Sequence, residues 1–303
     1  MGRRRRHDRH LPQRVYVRRG VHYYAHPDGR WQRLGRDLAT ALARYGLIAG
    51  PHAVHTMADL LDRYLLEVLP KKAPRTRLDQ VRQIPKLRAA FGHLVPGDLS
   101  AKLVIRYRNL RAQRSQTQAN QELALLSHVC AMAVEWEVLE RNPCRDVKKY
   151  RLKPRDHFVT DGDYRTVYAQ ASPRLRVFMD LALLTGQREG DLRTLTWEQI
   201  GKEGIEFRQG KTGKRLIVTW SPALRTVIAR ARRIRPQGPT VISTRAGRAY
   251  NQSAFSSLWH RVTLRATAHG DGSGAAFRFH DLRAKSASDD SLAAASARLG
   301  HAD

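Results

Sequence analysis

Several short stretches of the sequence carry cationic side chains at spacings that suit chemistry on an anionic group. In TGQREGDLRTLTW, 185–197, Arg188 falls where one predicted helix has ended and the next begins, and Asp191 follows three positions later. An arginine placed there can direct its planar fork into a cleft while a carboxylate fixes it from behind. Taken alone, such a pair is more often a solvated surface pair.

A second stretch, FRFHDLRAKSASD at 277–289, places a histidine and an arginine three positions apart. His280 and Arg283 therefore share one face of the predicted helix. Aimed at one point, they suit a phosphodiester, because the fork neutralises a non-bridging oxygen and the imidazole moves a proton or donates a hydrogen bond. Alone, this pair is also typical of a solvated face.

Two further cationic positions complete the set. The segment KTGK, 211–214, has strand-like residues on both sides, which predicts a β-hairpin turn with Lys211 and Lys214 at its tip. The preceding residues resemble a phosphate-binding P-loop but have five residues, not four, between the first glycine and Gly-Lys-Thr. His301 follows Leu-Gly just beyond a predicted helix and supplies another donor.

The bulk charge of the chain points to a polyanionic partner. The 303 residues include 55 Lys plus Arg against 27 Asp plus Glu, a net charge of +28. Nucleic acid is the leading partner, and an anionic membrane surface is second because no amphipathic segment stands apart as an anchor. No apolar run reaches the roughly 18–20 residues of a membrane span and no signal peptide is evident, so we expect a cytosolic, soluble protein. We expect Cys130 and Cys144 to be reduced and partly buried.

The pattern along the chain predicts a multi-domain α+β protein. Residues 1–52 combine a basic tail with three short strands and a helix, which predicts a small three-stranded domain. Residues 53–150 have helical periodicity throughout, with predicted helices that include 116–139. Residues 151–303 predict a mixed, mainly helical domain with a small antiparallel sheet at 205–209 and 215–220.

Basic residues follow all three regions at positions that could face a phosphate backbone. Any single cluster is also typical of a solvated face, but the charge excess favours a DNA contact for the set. The predicted DNA contacts are Arg3, Arg4, Arg5, Arg6, Arg18, Arg19, Arg33, Arg36, Lys71, Lys72, Arg75, Arg77, Arg106, Arg111, Lys148 and Lys149.

The order Arg188, Lys211, His280 with Arg283, and His301 resembles the active-site motifs of the tyrosine recombinases, the phage integrase family. The front of the chain, from the basic tail through Leu-Gly-Arg-Asp at 34–37, resembles the arm-binding domain of that family, and 53–150 is similar to its helical, SAM-like core-binding domain. The resemblance implies site-specific recombination of attachment-site DNA through a 3′-phosphotyrosine intermediate. It implies arm-type and core-type double-stranded DNA as partners, a homotetramer on DNA, a host DNA-bending protein, and action in the cytoplasm of a bacterial host.

The resemblance also assigns roles to single residues. Arg188 and Arg283 would hold the scissile phosphate, Lys211 would protonate the leaving 5′-oxygen, and His280 and His301 would assist proton transfer and orient the phosphate. Asp191 would support the arginine before it. No metal or other cofactor is implied, and no ATP is needed because one phosphoester replaces another.

The attacking tyrosine of this family follows the Leu-Gly-His motif, and none of the ten tyrosines lies there. We therefore expect the nucleophile beyond Asp303, and expect these 303 residues to bind DNA without cleaving it. Two alternatives remain open: a non-catalytic DNA-binding regulator derived from an integrase, and a type IB topoisomerase, against which the predicted second DNA-binding domain argues.

Overall fold

The structure is a computed structural model. The residues that it describes are 11–12, 14–26, 28–49, 54–153, 158–210, 213–234, 238–269 and 277–288. The chain divides into two compact units, Met1–Pro154 and Arg155–Asp303. The predicted division into domains 1–52, 53–150 and 151–303 stays a prediction.

A three-stranded antiparallel sheet begins the described part of the first unit, as predicted. In its first turn Arg19 has a φ of 50° and Gly20 a φ of 72°, the two positive angles that a two-residue type I′ hairpin requires. A helix covers one face of the sheet and buries Leu34 and Tyr45 in a small core. The elements are β1 (Val15–Arg18), β2 (Val21–Ala25), β3 (Trp31–Gly35) and α1 (Leu38–Ala49).

Further helices form a second core in the same unit, which confirms the predicted helical region. The first of them begins with a capping box, in which Thr56 and Asp59 each accept a hydrogen bond from the other's backbone N–H. Tyr64 and Leu126 are fully buried between the helices. The helices are α2 (Met57–Glu67), α3 (Pro74–Phe91), α4 (Ala101–Ala112) and α5 (Gln116–Glu135).

The predicted end of α5 at residue 139 is wrong by one turn. Glu137 adopts a φ of 58°, in the left-handed region. The N–H of Val138 donates to the carbonyl of Ala133 at 2.9 Å, and that of Glu137 to Val134 at 3.0 Å. These two bonds form a Schellman motif, so the local backbone ends the helix although the apolar spacing continues.

The second unit is mainly helical with one small sheet, as predicted. Phe178 lies at its centre, and its ring centroid is 4.8 Å from that of Phe255 and 6.3 Å from that of Phe279. The predicted helix at 291–299 lies outside the described residues. The elements are α6 (Asp161–Gln170), α7 (Pro173–Thr185), α8 (Glu189–Arg193), β4 (Gly204–Arg208), β5 (Arg215–Thr219), α9 (Pro222–Arg233), α10 (Gln252–His269) and α11 (Asp281–Ser288).

Two properties expected from composition can be checked on the described residues. Among them, no helix combines the length and the apolar character that crossing a membrane requires. Cys130 and Cys144 are free thiols buried in the helical core of the first unit, so they act as small apolar residues there.

Candidate active site

The turn after α7 positions the first predicted arginine. Gly186 ends the helix with a φ of 63° and a ψ of 13°, a left-handed conformation that glycine adopts without steric cost. The chain then extends through Gln187, and Arg188 is the N-cap residue of α8, with a φ of −69° and a ψ of 149°. Arg188 therefore stands at the start of a helix, as the sequence predicted.

The side chain of Arg188 is oriented by an amide. Its Nη1 donates to Oε1 of Gln209, just after β4, at 2.7 Å. Gln209 is fully buried, and its Nε2 donates to Oε1 of Gln187 at 3.0 Å. Gln187 is also buried, and its Nε2 donates to the carbonyl of Thr185 at 3.0 Å. Hydrogen-bonded amides thus connect the Arg188 guanidinium to the end of α7.

The predicted partner of Arg188, Asp191, contacts other groups. Its Oδ1 accepts a hydrogen bond from the backbone N–H of Gly210 at 2.8 Å. Asp191 lies in the first turn of α8, which faces the β4–β5 hairpin, so the carboxylate meets that backbone while Gln209 takes the guanidinium. The expectation that a carboxylate fixes Arg188 from behind is therefore corrected. Asp191 instead ties α8 to the hairpin.

Arg283 approaches the same turn from α11. Its Nη1 donates to the carbonyl of Gly186 at 2.6 Å, and the residue is only 7% exposed. Burial lowers the pKa of Arg283, the positive charge of Arg188 lowers it further, and the carboxylate of Asp191 acts in the opposite direction. Arginine keeps its proton in proteins, so two positive charges are held in partly desolvated surroundings, where an anion between them would be stabilised.

His280 lies immediately before α11 and is exposed, whereas its neighbour Phe279 is buried. Trp259 Nε1 donates to the carbonyl of Phe277 at 3.1 Å, which fixes the approach to this histidine. His280 lines an open cavity of about 390 Å³ together with Glu189 from α8. Within the described residues the His280 ring makes no hydrogen bond, so its nitrogens remain available to a ligand in this cavity.

The hairpin predicted to carry Lys211 is present. Strands β4 and β5 are antiparallel, the N–H of Gln209 donates to the carbonyl of Lys214 at 2.9 Å, and Gly213 has a φ of 71°. Lys214 is exposed. Lys211 itself, His301 and the tail residues Arg3, Arg4, Arg5 and Arg6 lie outside the described residues.

The basic residues predicted to bind DNA fall into two groups by their contacts. Some are exposed without an ion pair among the described residues. Others have protein partners: Lys72 Nζ lies 3.1 Å from Nε2 of His128, and Arg75 pairs with Asp79 at 3.1 Å. The exposed residues without such a pair are Arg18, Arg19, Arg33, Arg36, Lys71, Arg106, Lys148 and Lys149, and Arg77 is half-buried.

Arg111 is the predicted DNA contact with the strongest protein partner. Its Nε and Nη2 donate to the two carboxylate oxygens of Glu122 at 2.7 and 2.9 Å. Glu122 is 1% exposed and also accepts from Lys86 and Tyr107. A DNA phosphate would therefore compete with a bidentate ion pair for Arg111.

Gln209 and Gln187 are the site residues that the sequence analysis missed. Their type carries no charge, and buried glutamine has no periodic signature. One signal was available, since Gln209 lies two positions before Lys211 in a predicted hairpin and Gln187 lies beside Arg188.

Residues 158–302, which include both arginines and the hairpin, match the phage integrase family. The chain belongs to this family, the tyrosine recombinases. Its matched region is the mainly helical unit in which the two arginines converge beside a hairpin.

Individual relatives agree with this assignment. The chain is 31% identical to the integrase of Escherichia phage HK022 over 245 residues, which are 72% of this chain and 68% of that protein. It is 27% identical to the integrase of Escherichia phage lambda over 244 residues, with the same two coverages.

Solved structures show the same fold. A lambda integrase dimer bound to a COC′ core site superposes with a TM-score of 0.71 at 23% identity, over 100% of this chain and 94% of that chain. A lambda integrase tetramer bound to a Holliday junction gives 0.69 at 22% identity, over 97% and 96%. The match extends along both units of this chain, which confirms the predicted fold class.

Proposed function

We propose that this chain is a site-specific DNA recombinase of the integrase type, which binds attachment-site DNA and exchanges strands through a 3′-phosphotyrosine intermediate. The convergence of Arg188 and Arg283 on the turn at Gly186 is the observation that carries the proposal. Two guanidiniums near each other and partly desolvated suit the doubled negative charge of a phosphoryl transition state. Membership in the integrase family and the excess of positive charge support DNA as the bearer of that phosphate.

The proposed reaction replaces one phosphoester by another. A tyrosine oxygen attacks the scissile phosphorus, the bond from phosphorus to the 5′-oxygen breaks, and a proton passes to that oxygen, which leaves as a hydroxyl. The 5′-hydroxyl of a second strand then attacks the 3′-phosphotyrosine and releases the tyrosine. Each step breaks one phosphoester bond and forms another, so the scheme needs no ATP.

In this scheme Arg188 and Arg283 bind the non-bridging oxygens, and Lys211 supplies the proton to the leaving oxygen. His280, at the edge of the open cavity, and His301 orient the phosphate and assist proton transfer. Asp191 acts as a positioning residue through its bond to Gly210.

The same proposal extends to DNA partners. The exposed basic face of the three-stranded sheet, formed by Arg18, Arg19 and Arg36, binds arm-type sites. The helical region and the second unit bind core-type sites. Lambda integrase has been solved as a dimer and as a tetramer on DNA, which supports a tetramer on two duplexes for this chain. A host DNA-bending protein and action in the bacterial cytoplasm belong to the proposal as well.

We also propose that residues 1–303 by themselves bind DNA without forming the covalent bond. In the family the attacking tyrosine follows the Leu-Gly-His motif, and the ten tyrosines present precede it.

The first test selects bound fragments from a random DNA library and footprints them. Separate footprints at two kinds of sequence are expected, and binding without any sequence preference would contradict the recombinase. The second test is covalent trapping on a nicked duplex that contains the selected core site, with the 303 residues compared with a version extended through the following codons of the gene.

An adduct formed only by the extended protein supports the complete scheme. An adduct formed by residues 1–303 alone would refute the non-cleaving proposal while supporting the recombinase. If both bind and neither forms an adduct, the DNA-binding regulator replaces the enzyme. Relaxation of supercoiled DNA without site preference would favour the topoisomerase.

A further inference from the structure

The acceptor that orients Arg188 is neutral. A carboxylate at this place would orient the guanidinium equally well but would cancel its charge, whereas the Gln209 amide leaves the charge available to a phosphate. Arg283 likewise donates to a carbonyl oxygen, that of Gly186. Gln209 thus fixes the direction of Arg188 without pairing its charge.

The direction of the Gln209 amide is set by its neighbours. Its Nε2 donates to Gln187 Oε1, and Gln187 in turn donates to the carbonyl of Thr185. A flip of the Gln209 amide would place its NH₂ against the guanidinium and its oxygen against another oxygen. Since both glutamines are buried, water does not replace the lost bonds, and the oxygen is held toward Arg188.

The backbone of Gln209 closes the hairpin at the same place. Its N–H donates to the carbonyl of Lys214 at 2.9 Å, and its carbonyl accepts from Gly213 at 2.8 Å. The next residue, Gly210, donates to Asp191 on α8. The hairpin that contains Lys211 in sequence is thus attached to the Arg188 turn by two independent bonds, Gln209 to Arg188 and Gly210 to Asp191.

From these contacts we infer that Gln209 is a positioning residue, which aims Arg188 at the scissile phosphate without neutralising it and couples that arginine to the β4–β5 hairpin. The inference rests on the proposed recombinase function. Gln209 acts through Arg188 and need not touch the DNA.

The test measures how strongly a single phosphate matters for binding and does not require cleavage. Each phosphate of the selected core duplex is replaced in turn by a neutral methylphosphonate. The ratio of the Kd for the substituted duplex to the Kd for the unmodified duplex measures how much that phosphate contributes to binding. The phosphate held by the arginines is the position at which this ratio is large for wild type and falls towards unity for Arg283→Ala. If no position behaves so, the proposed function fails, irrespective of Gln209.

At that position Gln209→Leu is expected to lower the ratio about tenfold, the size of one lost hydrogen bond to a charged group. Gln209→Glu separates aiming from packing. Glutamate still accepts from Arg188 but cannot donate to Gln187 Oε1 as the amide does. If aiming Arg188 were all that Gln209 does, folded Gln209→Glu would keep more of the ratio than Gln209→Leu. The inference predicts that it lowers the ratio at least as far, because the carboxylate also cancels the charge of Arg188.

Gln199→Leu is the matched control. Gln199 also holds backbone in this unit, through a 2.7 Å bond from Nε2 to the carbonyl of Glu206, and among the described residues it forms no hydrogen bond with Arg188 or Arg283. The Kd ratio of Gln199→Leu at the same phosphate is expected to stay at the wild-type value. If Gln209→Leu does not fold, Gln187→Leu, which removes the amide that orients Gln209 together with its bond to the Thr185 carbonyl, is expected to give a smaller loss. Wild-type ratios in Gln209→Glu, or in folded Gln209→Leu, would overturn the inference.

Discussion

Arg283 Nη1 donates to the carbonyl oxygen of Gly186 at 2.6 Å, across 97 positions of the sequence. This bond joins α11 to the end of α7 at the turn that leads to Arg188. The left-handed conformation of Gly186 aims its carbonyl at the guanidinium, so a backbone angle determines where the second arginine lies. The geometry of the site therefore depends on a residue that has no side chain.

Gly186→Ala is expected to weaken both the fold and the site. A β-carbon in the left-handed region costs about 1–2 kcal/mol, which corresponds to a decrease in Tm of roughly 2–8 °C for a unit of this size. If the turn relaxes to relieve the strain, the carbonyl moves away from Arg283 and affinity for core-site DNA decreases. Thermal unfolding and DNA titration measure the two effects, and unchanged values for both would show that the turn tolerates a side chain.

Removing the arginine of the buried ion pair in the first unit is expected to be destabilising. Arg111→Ala leaves the buried Glu122 carboxylate with Lys86 and Tyr107 as partners, so the free energy of unfolding should decrease by about 1–3 kcal/mol. The double variant with Glu122→Gln should recover part of this loss, because no charge then remains buried. Denaturant unfolding of wild type and the two variants tests this. If Arg111→Ala were as stable as wild type, the ion pair would contribute little to stability.

The same carboxylate predicts a dependence of stability on pH. Burial raises the pKa of Glu122, but hydrogen bonds from Arg111, Lys86 and Tyr107 outweigh it and hold the pKa below the ordinary value of 4.5. A depressed pKa in the folded state stabilises the protein above the unfolded value, and that stability is lost as the pH falls through the folded value. Between neutral pH and acid pH, wild type should therefore lose more stability than Glu122→Gln. Parallel pH curves for the two proteins would refute this.

Local patterns were sufficient to predict most elements of the fold. Alternating and helical periodicities gave the three-stranded sheet, the helical region and the β4–β5 hairpin, because these depend on near neighbours in sequence. The end of α5 was missed since Glu137 adopts a left-handed angle that its residue type does not suggest.

The candidate site could be selected from residue types, whereas its contacts could not. The type and spacing of Arg188 and Arg283 favoured a phosphate site, which stays a prediction, and the structure places both arginines at the turn after α7. That Gln209 and not Asp191 would orient Arg188 depends on how the hairpin meets α8, a contact between distant segments. Arg111 illustrates the same limit: its charge predicts a DNA contact, which stays a prediction, and no pattern in the sequence indicated its pair with Glu122.

The basic face of the N-terminal sheet predicts a measurable dependence of DNA binding on salt. Arg18, Arg19 and Arg36 line an open cavity of about 810 Å³, and the Arg18 guanidinium lies 3.9 Å from the centroid of the Trp31 ring. None of the three arginines forms an ion pair within the described part of the chain. Each is therefore available to replace a counterion on a DNA phosphate.

Arg36→Ala is expected to reduce the slope of log K against log salt for arm-type DNA by about 0.9, the value for one phosphate contact. Arg30→Ala is the matched control in the same sheet domain, because Arg30 is paired with Asp28 at 2.6 Å and depresses the pKa of that carboxyl through its hydrogen bonds. Its removal also exposes the negative charge of Asp28, so affinity can decrease while the slope changes less than in Arg36→Ala. Fluorescence anisotropy titrations at several salt concentrations separate slope from affinity. Equal slope changes in the two variants would show that the sheet face acts through overall charge and not through defined phosphate contacts.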